Sequence, residues 1–164
     1  MTSIARRRLP LLLSALLTLL LSAPVAARAD DQSFARTALT HAETLGRAER
    51  AATTALRRVD ARGRSAIPAA RRAVKAVRRE AKLMRGAVER EQTSTENGET
   101  TKRELLELLA VELRGYGTLD RALAAFKRGD VRTANTLQRR AKSQLRGLGE
   151  AAQAVGRRLR ELAG

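Results

Sequence analysis

From Phe34 to the C-terminus, apolar residues return every three or four positions, the spacing of one face of an α-helix. The first stripe is Phe34, Ala38, His41, Leu45, Ala48, Ala52, Ala55 and Val59, and it predicts a helix over residues 31–62. Gly63-Arg64 interrupts it. Ser65 stands where the next N-cap belongs, and Pro68 suits a first turn, whose N–H groups lack partners inside the helix. The second stripe is the most regular: Ile67, Ala70, Val74, Val77, Ala81, Met84 and Val88 hold a heptad pattern and predict a helix over 65–91.

Gln92 to Thr100 is polar and contains Asn97-Gly98, which reads as a loop. Thr101 and Glu104 have the spacing of a capping box and open a third predicted helix, 101–128. Its seam is Leu106, Leu109, Leu113 and Tyr116, then slips before resuming at Leu119, Leu123 and Phe126. The slip falls on Gly115-Tyr116-Gly117. Two glycines cost about 2 kcal/mol of helix stability relative to alanine, so a kink or break is expected at 115–117, with Thr118 capping the restart. Gly129-Asp130 is a C′ glycine followed by an N-cap aspartate. The last helix, 130–162, carries Ala134, Leu137, Ala141, Leu145, Leu148, Ala152, Val155, Leu159 and Leu162, with a stutter between Ala141 and Leu145.

Alternating β-branched runs and hairpin turn chemistry are both missing, so the fold class is all-α. Four helices with one apolar stripe each, joined by short links, predict an antiparallel up-down four-helix bundle. The long seams also permit an alternative, two long helical hairpins pairing in a homodimer.

Ahead of the bundle, residues 1–29 have the three-part layout of a secretory signal peptide. Arg6, Arg7 and Arg8 form a positive start, Leu9 to Leu21 an apolar run, and Ala27-Arg28-Ala29 an A-x-A-like cleavage site. The expected division is a signal over 1–29 and one helical domain over 30–164. The alternative is an uncleaved anchor, which Ser14, Thr18, Ser22 and Pro24 weaken. Arg6-Arg7 leaves a twin-arginine route open. The expected location is a periplasm or the cell exterior.

Export makes the lack of cysteine meaningful: a fold bound for an oxidising compartment must hold by helix seams alone. The core is aliphatic and alanine-rich, since Phe34, Tyr116 and Phe126 are the only aromatics. Of the 33 basic residues four fall in 1–29 and none of the 17 acidic ones does, which leaves 29 against 17, a net of +12. Such an excess draws in anionic partners over long range.

The densest basic run lies on the second predicted helix: Arg71, Arg72, Lys75, Arg78, Arg79, Lys82 and Arg85. With Ile67, Val74 and Ala81 at heptad position a, these residues occupy b, e and f and share an outer face. They are the candidate anion-binding residues, because the guanidinium fork donates two hydrogen bonds at once to a carboxylate or phosphate. Arg139, Arg140, Lys142 and Arg146, followed by Arg157, Arg158 and Arg160, make a more broken basic set on the last helix. The partners implied are an anionic polymer, a membrane surface or an acidic protein. Nucleic acid is expected to bind only nonspecifically, for want of stacking aromatics or a duplex-reading motif.

Catalytic and metal chemistry find little support. His41 is the only histidine and no cysteine accompanies it, so no closed metal site is expected and no cofactor is implied. Glu104, Glu107 and Glu112 read as acids complementing the start of a helix, and Glu89, Glu91, Glu96 and Glu99 as solubilising loop charges. The expectation is an exported, noncatalytic helical protein that binds an anionic envelope component or acidic partner through a basic helix face. Its rivals are a holdase-like envelope chaperone and a structural protein assembled through the Ile67–Val88 seam.

Overall fold

The computed structural model describes the backbone from Leu9 and the side chains from Arg28 to Gly164. The charged start, the apolar run and Ala27 of the expected export signal lie outside the described side chains. Among the described residues no helix is long and apolar enough to cross a membrane.

The chain is all-helical, with no strand among the described residues. Helix α1 spans Leu9–Arg62, α2 Ile67–Arg90, α3 Glu96–Lys127, α4 Val131–Leu145 and α5 Leu148–Ala163. α1 packs along α2, α2 along α3 and α3 along α4, while α5 returns to lie against both α1 and α3. Every residue of the second stripe is buried, as are Phe34, Ala38, Leu45, Ala52 and Val59 of the first. One core cluster joins Phe34, Val77, Met84, Val88, Leu109 and Leu159; a second, toward the α1–α2 turn, joins Val59, Ile67, Val74 and Leu123. Tyr116 packs against both.

Several helix ends differ from the sequence expectation, each for a local reason. α1 begins well before Asp31, because nothing at Asp30-Asp31 stops a helix that alanine and leucine favour. Ser65 does not cap α2. It sits inside a 3-10 turn over Gly63–Ala66, and its hydroxyl donates to the Arg62 carbonyl at 3.0 Å. Gly63 (φ 62) supplies the left-handed residue there.

α3 starts at Glu96 rather than Thr101, and Asn97-Gly98 lies inside its first turn. The cap is Thr95, whose hydroxyl accepts from the Gly98 N–H at 3.0 Å, with Glu96 and Glu99 favouring the helix N-terminus. Thr101 is instead fully buried, and its hydroxyl has no partner among the described residues. A buried, unsatisfied hydroxyl costs about 1–3 kcal/mol. Replacing Thr101 with the isosteric valine is therefore expected to raise stability by about 1 kcal/mol, read as a higher urea midpoint at unchanged slope.

The break expected at 115–117 is absent: α3 is unbroken through both glycines. Thr118 caps nothing, because its hydroxyl donates to the Arg114 carbonyl one turn back. Gly115 is buried where α4 closes on α3, and a Cβ there would stand 2.4 Å from Leu145 Cδ2. The interruption falls later, in the predicted 130–162 helix, which is two helices parted at Arg146-Gly147. Gly147 takes φ 76, a conformation cheap only for glycine, and the chain restarts at Leu148. Gly129-Asp130 behaves as expected. The Gly129 N–H reaches the Phe126 carbonyl, the Asp130 N–H reaches Ala125, and the Asp130 carboxylate accepts from the Thr133 N–H at 3.0 Å.

Candidate functional site

The seven basic residues of α2 do not form one free face. Arg71 is turned toward α3, where its Nε and Nη2 donate to both carboxylate oxygens of Asp120 at 2.7 and 3.3 Å. That bond, together with the charge of Asp120, raises the pKa of the Arg71 guanidinium. Arg78 lies over Gly117 of α3 with its Nε buried and unpartnered among the described residues. These two e-position arginines belong to the α2–α3 packing. Arg79 pairs with Glu80 and Arg85 with Glu89, both at 2.8 Å. Arg72, Lys75 and Lys82 are exposed and outside any ion pair among the described residues.

Nor does the α2 set meet the basic set of the last two helices. α2 lies against α1 and α3, and α5 against the same pair, with no substantial contact between α2 and either α4 or α5. Arg158 is held by Glu104 of α3 in a two-pronged pair, so Glu104 is an interhelix partner rather than a dipole-complementing acid.

Arginines from two helices do converge elsewhere. Arg50 of α1 and Arg157 and Arg160 of α5 line one open groove with Gln153, over a floor of Ala42, Ala152 and Gly156. All three are exposed, and none has a carboxylate within salt-bridge distance among the described residues. Two of them lie back along their own helices over glycine. A Cβ at Gly46 would be 3.5 Å from Arg50 Nη1, and one at Gly156 would be 3.8 Å from Arg160 Nη1.

Beneath this groove, and sharing Ala42, Ala152, Gly156 and Arg160 with it, is a slot of about 310 Å³ between α1, α3 and α5. Its walls are mostly Leu39, Leu45, Leu105, Leu108, Val155 and Leu159. Two carboxyls also line it. Glu112 of α3 is only 5% exposed, and its Oε1 has no hydrogen-bond partner among the described residues. Burial first, then the charge of Glu49 and its hydrogen bond, push the Glu112 carboxyl up to about 8. Burial raises Glu49 as well, against the lowering effects of its bond to Glu112 and of Arg50. Tyr116 is raised by burial and by the same two carboxyls. With its carboxyl held up at about 8, Glu112 keeps its proton across the neutral range.

Reading Glu112 as a helix-start acid missed this pair. The pattern holds the signal: Leu105, Leu109, Glu112, Tyr116, Leu119, Leu123 and Phe126 step by four and three without a slip, provided a glutamate is admitted to the seam. His41 is half-buried on α1, and no group of three or more His, Asp or Glu among the described residues is placed to hold a metal ion. No protein-family model, curated protein or solved structure matches the chain.

Proposed function

We propose that the chain is an exported four-helix-bundle protein, α4 and α5 together forming its fourth member, and that it works by holding an anionic envelope component in the groove between α1 and α5. The observation that carries the reading is the convergence of Arg50, Arg157 and Arg160 from two helices on one groove without acidic partners among the described residues. Arginines already paired with carboxylates have little left to offer a ligand, whereas these three retain their donors and charge. Of the acids around them, Glu112 is held up at about 8 by burial and so offsets them weakly at neutral pH.

Export is supported by the three-part layout of residues 1–29. Arg28 and Ala29, beside the expected cleavage point, are exposed, while Asp31 is buried. Removing residues 1–29 leaves the +12 chain. A net charge of that size steers anions toward the protein, and the groove supplies a place to hold them.

The test compares two charge reversals of equal size. Changing Arg50, Arg157 and Arg160 to glutamate is expected to lower the salt needed to elute the protein from heparin, and to abolish its binding to vesicles containing anionic lipid. Changing Arg72, Lys75 and Lys82 to glutamate alters net charge equally and is expected to leave most of the retention. Equal losses from both variants, or no loss from the first, would overturn the reading.

A further inference from the structure

The groove and the slot are one continuous feature, charged outside and apolar within. They share four residues, and Arg160 lines both. α5 makes this possible by presenting Gly149, Ala152 and Gly156 toward α1 and α3, where larger residues would fill the space. A methylene occupies about the volume of a water, roughly 30 Å³, so about 310 Å³ admits a chain of roughly ten carbons.

We propose that this feature takes a free single-chain anionic amphiphile, an alkyl carboxylate of roughly ten carbons. Its head lies on Arg50, Arg157 and Arg160 and its tail in the slot between α1, α3 and α5. The inference rests on the anion-binding reading and names the ligand class for the same groove. The charge pattern selects an anion over a cation: three arginines without acidic partners among the described residues line the groove, and one of them, Arg160, stands at the wall shared with the slot. Inside, the Glu112 carboxyl is held up at about 8 by burial and most of the remaining wall is aliphatic, which suits an uncharged tail. The carboxylate head matches the guanidinium fork, and the aliphatic walls match the tail.

Calorimetric titration of the purified protein with decanoate at pH 6.5, below its micellar concentration, tests the inference. One-to-one binding is expected. Hexanoate should bind about a hundredfold more weakly, since each buried methylene is worth roughly a threefold to fourfold change, and hexadecanoate should gain nothing over decanoate. Decyltrimethylammonium and decanol should each bind at least about tenfold more weakly than decanoate. Gly149→Leu, at a position that lines the slot but not the groove and has open space around it, should cost at least about tenfold in decanoate affinity and leave heparin elution unchanged. The chain-length series on the unaltered protein keeps the inference falsifiable if that variant folds poorly.

Decanoate binding no better than acetate would overturn the inference alone, provided the arginine reversals still lower the salt needed to elute the protein from heparin. If those reversals leave heparin retention intact, the anion-binding reading itself fails. Tighter binding of decyltrimethylammonium than of decanoate would mean that Glu49 and Glu112 select a cation, and would also overturn the inference.

Discussion

Raising the pH from 5 to 9 is expected to weaken the fold by several kcal/mol, and Glu112→Gln to remove most of that loss. Burial holds the Glu112 carboxyl up at about 8 in the folded chain, against 4.5 for an ordinary glutamate. Between those two values the folded form keeps a proton that the unfolded chain has released. Stability therefore falls as pH rises from about 4.5 through 8 and levels off above. One pKa unit corresponds to about 1.4 kcal/mol, so Glu112 alone is worth up to about 5 kcal/mol across the window. Glu49 is raised too and acts in the same direction, while Arg50 beside it and Arg160 on the far wall reduce the loss. Urea melts at pH 5, 7 and 9 measure the effect. The glutamine variant should match the parent at pH 5 and exceed it by about 2 kcal/mol or more at pH 9. A parent whose stability is flat over this range, or rises, would show that the pair is not buried as described.

Much of the architecture was legible in the pattern of apolar residues, because aliphatic seams at three-four spacing have few other ways to be buried. The second stripe, from Ile67 to Val88, is buried at every position read from the sequence. The third helix was harder for a physical reason. Its buried line includes Thr101, Glu112, Gly115 and Thr118, polar or small residues that a hydrophobicity reading excludes, so the seam was placed beside the true one and appeared to slip. The candidate site failed in a related way. Seven basic residues on α2 were visible as a stripe, but ion pairing is decided by what faces each side chain. Asp120 lies 49 residues from Arg71 in sequence and only 2.7 Å from it in space. The convergence of Arg50 with Arg157 and Arg160 is likewise long-range. It depends on the break at Gly147 and on α5 returning to α1, and no spacing within one helix reports it.

Gly98→Ala is expected to destabilise the protein by about 2 kcal/mol, opposite in sign to the usual result of such a change inside a helix. Alanine is ordinarily favoured over glycine there by about 1 kcal/mol. Gly98, however, lies against Asp31 of α1, and a Cβ would stand 2.3 to 2.7 Å from three atoms of its carboxylate. That carboxylate is itself buried. It accepts from the Ser94 N–H at 2.9 Å and from the Thr95 hydroxyl, so it ties α1 to the residue that caps α3. It also places a negative charge where the start of the helix is positive. The same corner is secured by Glu91, which accepts from the hydroxyls of Ser33 at 3.0 Å and Thr37 at 2.9 Å, while Lys102 donates to its carbonyl. Asp31→Ala should cost about 2 kcal/mol, because it removes a buried acceptor from two part-buried donors at a helix end. The two changes should not add. With the carboxylate gone the space opposite residue 98 opens, and Gly98→Ala in the Asp31→Ala background should become neutral or stabilising. Gly117→Ala is the internal control. Its nearest neighbour is the Arg78 guanidinium at 3.7 Å, an ordinary contact, so alanine there should stabilise by about 0.5–1 kcal/mol. Thermal and urea melts of the four variants decide the matter, and a Gly98→Ala protein as stable as the parent would mean that α1 and α3 do not meet so closely at this corner.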